Sequence, residues 1–193
     1  MNDIERLVGS FEGVPVVNMG GYRYFVHPLS DGIPSVDPLL LEAASRCVEE
    51  RLPPCDDYDM IVTAEAMGIP LAAGVSLTCK KPFSIMRKRE YGLPGEVAID
   101  QSTGYSRGSL YLHLPGDNKR AVIVDDVLST GGTLRAMAKG VKLAGWTTVT
   151  AVVLFSKMTS EEKGALEGEV GFEISSVLNI EETPEGFRAR TSQ

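Results

Sequence analysis

Residues 122–133, VIVDDVLSTGGT, concentrate the chemistry of this chain. A run of branched apolar residues ends in two adjacent carboxylates, Asp125 and Asp126, and Ser129, Thr130, Gly131, Gly132 and Thr133 follow before a helical pattern begins. Small residues let consecutive backbone N–H groups converge on one point, and the N-terminus of the helix behind them adds partial positive charge, a combination suited to a phosphate monoester. The hydroxyls of Ser129, Thr130 and Thr133 can donate to the same oxygens. Two carboxylates beside such a site would repel the phosphate, so they must face something else, either vicinal sugar hydroxyls or a hydrated magnesium ion. Phosphate at one end with a diol or cation at the other suggests a ribose 5-phosphate. An Asp-Asp pair alone, or a Gly-Gly turn alone, would be read as a solvated loop before a capped helix; the whole ordered string is far more specific. It has no lysine after Gly132, so it is not the triphosphate-binding P-loop, and it is not GxGxxG.

A second cluster, Arg87, Lys88 and Arg89, is a basic run in an acidic chain. By itself such a run is a solvated strand end; beside a phosphate motif it becomes a candidate clamp for further anionic oxygens, with Lys88 the first choice and Arg87 the second.

These groups need a scaffold. Asp37 before Pro38 is a cap and first-turn signature, and Leu40, Leu41, Ala44, Cys47 and Val48 recur with helical spacing until Pro53 and Pro54 stop the segment. Residues 60–63 form a short β-prone run, 69–77 a helix with Pro70 in its first turn, and 83–86 another strand. Residues 96–99 and 109–113 suggest a hairpin or an extended excursion around a mobile Gly- and Ser-containing stretch at 102–108. The continuous apolar run 121–124 suits a strand buried on both faces. A helix over 133–144, ended by Gly145, and a strand over 147–155 complete a βαβ crossover. The pattern predicts one α/β domain spanning 1–193, with a mainly parallel sheet flanked by helices. Ligands bind at the carboxyl ends of the strands in such sheets, which selects the loops after Thr63, Met86 and Val124.

Composition narrows the class of partner. Lys and Arg number 19 against 26 Asp and Glu, a net charge of −7, which disfavours nucleic acid and anionic membrane surfaces. The apolar runs are far shorter than the roughly 20 residues needed to cross a bilayer. The opening MNDIERLVGS has neither the signal-peptide nor the transit-peptide pattern, so the expected location is cytoplasmic. Cys47, Cys55 and Cys79 form no CxxC pair and read as free thiols; with only His27 and His113 besides, no zinc cluster assembles from close neighbours.

The string VIVDDVLSTGGT resembles the 5-phosphoribosyl 1-pyrophosphate motif of the type I phosphoribosyltransferases. Glu65, Ala66, Met67 and Gly68, after a strand, are similar to the pyrophosphate loop of the adenine enzymes, and IMRKREYGLPGE to their basic strand end with its Leu-Pro-Gly. With YFVHPLSDGIP near the start, the likeness is closest to the archaeal-type hypoxanthine/guanine phosphoribosyltransferases. The resemblance implies the fold of that family with a small N-terminal and C-terminal hood, residues 1–35 contributing. It implies a purine salvage enzyme that makes IMP or GMP from hypoxanthine or guanine, a magnesium cofactor held at Asp125 and Asp126, and a homodimer. Asp125, Asp126 and Lys88 would be catalytic; residues 129–133 would wrap the 5-phosphate; Glu65, Ala66, Met67, Gly68, Arg87, Lys88 and Arg89 would hold pyrophosphate; and Tyr24, Phe25 and Val26 would meet the base. A non-proline cis peptide is often found in that pyrophosphate loop, here residues 64–68, and a flexible loop would cover residues 94–105.

Two departures from the family pattern concern proton transfer. Ser129 stands where many hypoxanthine/guanine enzymes carry an aspartate, and Gly104 where adenine enzymes often offer a glutamate before the residue matching Tyr105. Either no strong protein base is needed, or Asp125 or Glu96 substitutes. An adenine phosphoribosyltransferase is the alternative within the class; outside it stand a regulator that senses phosphoribosyl pyrophosphate without turning it over, and an inactive paralogue.

Overall fold

The computed structural model describes residues 2–102, 107–116 and 118–192. The chain opens with helix α1 (Asp3–Gly9), the hairpin β1 (Val16–Met19) and β2 (Tyr22–Phe25), the single turn α2 (Pro28–Asp31) and helix α3 (Pro38–Glu49). There follow β3 (Met60–Ala64), α4 (Gly68–Cys79), β4 (Phe83–Met86), a second hairpin of β5 (Val97–Ser102) and β6 (Arg107–Leu112), and β7 (Arg120–Leu128). Helix α5 (Gly132–Leu143), β8 (Thr147–Ser156), α6 (Ser160–Val170), β9 (Ile174–Thr183) and β10 (Gly186–Thr191) complete it. Six strands form one sheet in the order β10-β9-β8-β7-β3-β4, parallel except where β10 folds back antiparallel on β9.

The parallel strands are apolar on both faces because helices cover both, and the core divides accordingly. One cluster joins Leu7 of α1, Val48 of α3 and Val75 of α4 to Phe25, Tyr58 and Phe155; the other joins Met137 of α5 to Ile99, Leu112 and Trp146. The expected cap of α3 is made, with the Asp37 carboxylate accepting the N–H of Leu39 at 2.8 Å and of Leu40 at 3.0 Å. Gly145 follows α5 in the left-handed conformation at φ 77°.

Strand β7 is longer than its apolar run predicts. β8 stays alongside it, with Asp125 paired to Val153, Val127 to Phe155 and Leu128 to Ser156. Backbone pairing therefore carries the extended conformation through the two aspartates, and the phosphate-type turn begins only at Ser129. The stretch expected to be mobile, 102–108, and the end of the 94–105 loop fall largely on residues 103–106, outside the described residues. The three cysteines are free thiols, and no helix among the described residues is long and apolar enough to cross a membrane.

Candidate active site

The loops after β3, β4 and β7 meet at the carboxyl ends of the central strands, and the β1–β2 hairpin with α2 stands over them. Between them lies a cleft of about 220 Å³. Asp125, Asp126 and all five residues 129–133 line it, together with Glu65, Ala66, Met67, Lys88, Tyr24 and Phe25. Residues more than a hundred positions apart in sequence thus share one wall.

The turn 129–133 is built for an anion. Gly131 occupies the position before α5 at φ 77°, a left-handed conformation that other residues adopt only at a cost, and no side chain caps the helix there. The N–H groups of the first turn of α5 therefore open toward the cleft side of the loop. Arg135 stiffens the turn from behind, donating from Nη1 to the Thr130 carbonyl at 2.8 Å while its Nε is held by Glu169 at 2.8 Å. Ser129 is tied to the hairpin through a 2.6 Å hydrogen bond with the Tyr22 hydroxyl.

The carboxylate pair is electrostatically strained. Asp125 is 6% exposed and Asp126 is half-buried. Burial, then the neighbouring Asp126 charge, pushes the Asp125 carboxyl well above the usual range, and burial raises Asp126 to about 6. Such a pair is relieved by a cation or by hydroxyl donors. Gly68 does not line the cleft; it makes room behind the wall. A Cβ there would stand 2.7 Å from Asp125 Oδ1 and would overlap Thr63 Oγ1.

The loop between β3 and β4 supplies the opposite side. The Glu65–Ala66 peptide is cis. Glu65 accepts the Lys88 backbone N–H at 2.6 Å and donates its own N–H to the Met86 carbonyl at 3.0 Å, which locks the two loops together. The basic run divides: Lys88 lines the cleft, whereas neither Arg87 nor Arg89 does. Arg87 exchanges backbone hydrogen bonds with Tyr111 at 2.9 and 2.7 Å, and the Arg89 guanidinium lies 5.6 Å over the Tyr91 ring. Glu96 is also outside the cleft lining, its carboxylate accepting the N–H of Gly92 at 2.8 Å and of Tyr91 at 3.1 Å. Gly104 and Tyr105 lie outside the described residues.

At the hood, Tyr24 donates its hydroxyl to Asp31 at 2.8 Å. Phe25 borders the cleft, but its ring is packed edge-on among Phe11, Phe155 and Phe187 at 5.3 to 6.2 Å. Val26 is absent from the lining, and its N–H pairs with the Pro15 carbonyl at 2.9 Å. The lining also includes residues that the sequence did not single out, among them Tyr22 and Lys157. Lys157, the residue after β8, donates to the Tyr22 hydroxyl at 2.7 Å and the Arg23 carbonyl at 3.2 Å, with its ammonium 4.2 Å over the Tyr22 ring. Its one available signal was its position at the carboxyl end of a predicted strand.

The family model for the phosphoribosyl transferase domain matches residues 42–187. The hypoxanthine/guanine phosphoribosyltransferase of Aciduliprofundum boonei is 41% identical over 92% of this chain and 95% of its own. That of Methanococcus vannielii is 44% identical over 91% and 92%. Among solved structures, the adenine phosphoribosyltransferase of Leishmania donovani superposes with a TM-score of 0.73 at 17% identity, covering 93% of this chain and 80% of that one. That of Rhodothermus marinus gives 0.68 at 21%, covering 92% and 98%. At those identities the structural likeness speaks for the fold.

Proposed function

The chain belongs to the phosphoribosyl transferase family, and we propose that within it the protein is a hypoxanthine/guanine phosphoribosyltransferase. It would take the phosphoribosyl group of 5-phosphoribosyl 1-pyrophosphate onto a purine ring nitrogen, yielding IMP or GMP and pyrophosphate. The observation that carries this reading is the 41% and 44% identity, over more than nine-tenths of the chain, to relatives of that name. The cleft supplies a group for each demand of the reaction.

The bond from C1′ to pyrophosphate oxygen breaks as the bond from C1′ to the purine nitrogen forms, and C1′ carries positive, oxocarbenium-like charge between. The amides of residues 129–133 and the α5 N-terminus hold the 5-phosphate. Asp125 and Asp126 accept from the ribose hydroxyls and oppose the charge at the sugar. Lys88 and the loop from Glu65 to Met67 face the departing pyrophosphate. The base sits beneath Tyr22, Tyr24 and Lys157, at the edge of the hood.

Magnesium belongs to the same reading. Two crowded carboxylates with raised pKa values favour a cation, and no group of three or more His, Cys, Asp and Glu side chains among the described residues could cage one. The pair fits an ion whose remaining ligands are substrate oxygens and water, and such an ion, when bound, neutralises charge on the leaving group. A homodimer and a cytoplasmic location complete the proposal; exposed Leu39 and Leu77 are apolar surface suited to association, which light scattering measures.

The deciding assay offers adenine, hypoxanthine, guanine and xanthine separately to the purified protein with 5-phosphoribosyl 1-pyrophosphate and magnesium, and follows pyrophosphate release. Release with hypoxanthine and guanine is expected. Release with adenine alone would make it an adenine enzyme, and release with no base would refute catalysis.

A further inference from the structure

Thr63 has no part in the chemistry described so far, yet its environment is unusual. It lies near the end of β3, fully buried, and its hydroxyl oxygen has no hydrogen-bond partner among the described residues. An unpaired buried hydroxyl is unfavourable, and valine would fill the same space without the penalty. Its neighbours Ile61 and Val62 are apolar, as a central strand requires. A hydroxyl kept at this point needs an acceptor that it meets in another state of the site.

The surroundings identify that acceptor. Gly68 has no Cβ, and one placed there would collide with Thr63 Oγ1 and stand 2.7 Å from Asp125 Oδ1. Hydroxyl and carboxylate therefore flank the same bare Cα at the start of α4, behind the wall that carries Asp125 into the cleft. We infer that Thr63 is a positioning residue: its hydroxyl donates to the Asp125 carboxylate when bound ribose hydroxyls draw that carboxylate into its working orientation. Thr63 touches no substrate; it holds Asp125 from behind so that the carboxylate faces C1′. The inference rests on the phosphoribosyl transfer proposed above.

The test compares wild type, Thr63→Val and Thr63→Ser by steady-state kinetics with hypoxanthine, 5-phosphoribosyl 1-pyrophosphate and magnesium, and by thermal unfolding. Thr63→Val should melt at or above the wild-type temperature, yet lose about tenfold or more in kcat with KM for hypoxanthine little changed, as expected for removal of a hydrogen bond to a charged group. Thr63→Ser keeps the hydroxyl and should restore kcat to within about threefold of wild type, while melting lower for want of a methyl group. A purely packing role predicts the opposite order, with valine as active as wild type and serine impaired. That order, or equal kcat in all three proteins, overturns the inference. If Thr63→Val does not fold, Thr63→Ala takes its place, with serine above alanine in kcat supporting the role and equality refuting it. A wild-type protein inactive with every purine would instead remove the functional reading and this inference with it.

Discussion

Lys157 reaches the cleft as an ammonium already donating to the Tyr22 hydroxyl and the Arg23 carbonyl. An ammonium offers three donors and no acceptor, so what it can still give the base is a hydrogen bond to a carbonyl oxygen, while an amino group at the same place meets only repulsion. This favours a 6-oxopurine over a 6-aminopurine. Replacing it by glutamine, which carries donor and acceptor alike, should lower the ratio of kcat/KM for hypoxanthine over adenine by about tenfold or more, measured by competing the two bases. An unchanged ratio would remove Lys157 from base selection. The contrast with residues 129–133 explains what the sequence could reveal at this scale. The phosphate turn is contiguous, so its composition and order are visible in a single string. Lys157 and Tyr22 lie 135 positions apart and neither stands in a motif, so only the sheet, which returns β8 to the hood, brings them together. The basic run shows the converse: three adjacent cations read as one feature, but β4 ends at Met86, Arg87 is held by its backbone bridge to Tyr111, the chain bends at Lys88 and Arg89, and Lys88 alone of the three lines the cleft.

Among the elements, the junction of β7 and α5 is the most demanding. Gly131 holds φ 77° where the strand turns into the helix, and a Cβ there would come within 2.7 Å of Arg135 Nη1 and 3.0 Å of Leu166 Cδ2. The left-handed conformation alone costs an alanine roughly 1–2 kcal/mol, and the displaced Arg135 would release the Thr130 carbonyl. Gly131→Ala should therefore raise KM for 5-phosphoribosyl 1-pyrophosphate by about tenfold with a smaller loss of thermal stability, and substrate titrations of the variant check it. The strong local signals in the sequence correspond to elements with strong local causes. The Asp37 cap, the prolines after α3 and the branched run of β7 each act within a few residues, and β4 appears where its pattern places it. The elements that were not foreseen lack an apolar pattern rather than caps, for α6 is closed by a Thr159–Glu162 capping box at its start and by Gly171 at φ 84° after its end. Helix α6 buries only Leu166, its remaining residues being charged, small or half-exposed, so it presents no apolar stripe. Strands β9 and β10 mix Ser, Asn, Glu and Arg with their apolar positions, as an edge of the sheet permits. Their place is set by pairing, β9 on β8 and β10 on β9, which is a tertiary cause.

For the molecule as a whole, the hood and the sheet meet at His27. Its ring stacks on Phe11 at 4.6 Å and meets Phe155 edge-on at 4.9 Å, fully buried. The Leu29 N–H donates to Nδ1 at 3.1 Å, and Ser10 Oγ, which gives its own proton to the Leu7 carbonyl at 2.6 Å, lies 2.9 Å from Nε2. These contacts assign the neutral ring with its proton on Nε2, since a second proton on Nδ1 would oppose the Leu29 donor. Burial lowers its pKa from 6.5 to about 4, partly offset by the charge of Asp31. Between those values the unfolded chain binds a proton that the folded chain does not, so this residue contributes stability that is intact above about pH 6.5 and falls as pH drops toward 4, by up to about 3 kcal/mol. The wild-type melting curve alone cannot isolate it, because Asp125 and Asp126 act in the reverse sense: carboxyls with raised pKa values stabilise the fold as pH falls and they take up protons. A non-titrating substitution, His27→Gln, separates the two contributions, since it leaves the carboxylate pair untouched. The difference in stability between wild type and His27→Gln should shrink steadily from pH 7.5 to pH 4.5 in denaturant titrations. A difference that stays constant would mean that the hood tolerates a charged imidazole, and with it that water reaches the junction on which the roof of the cleft depends.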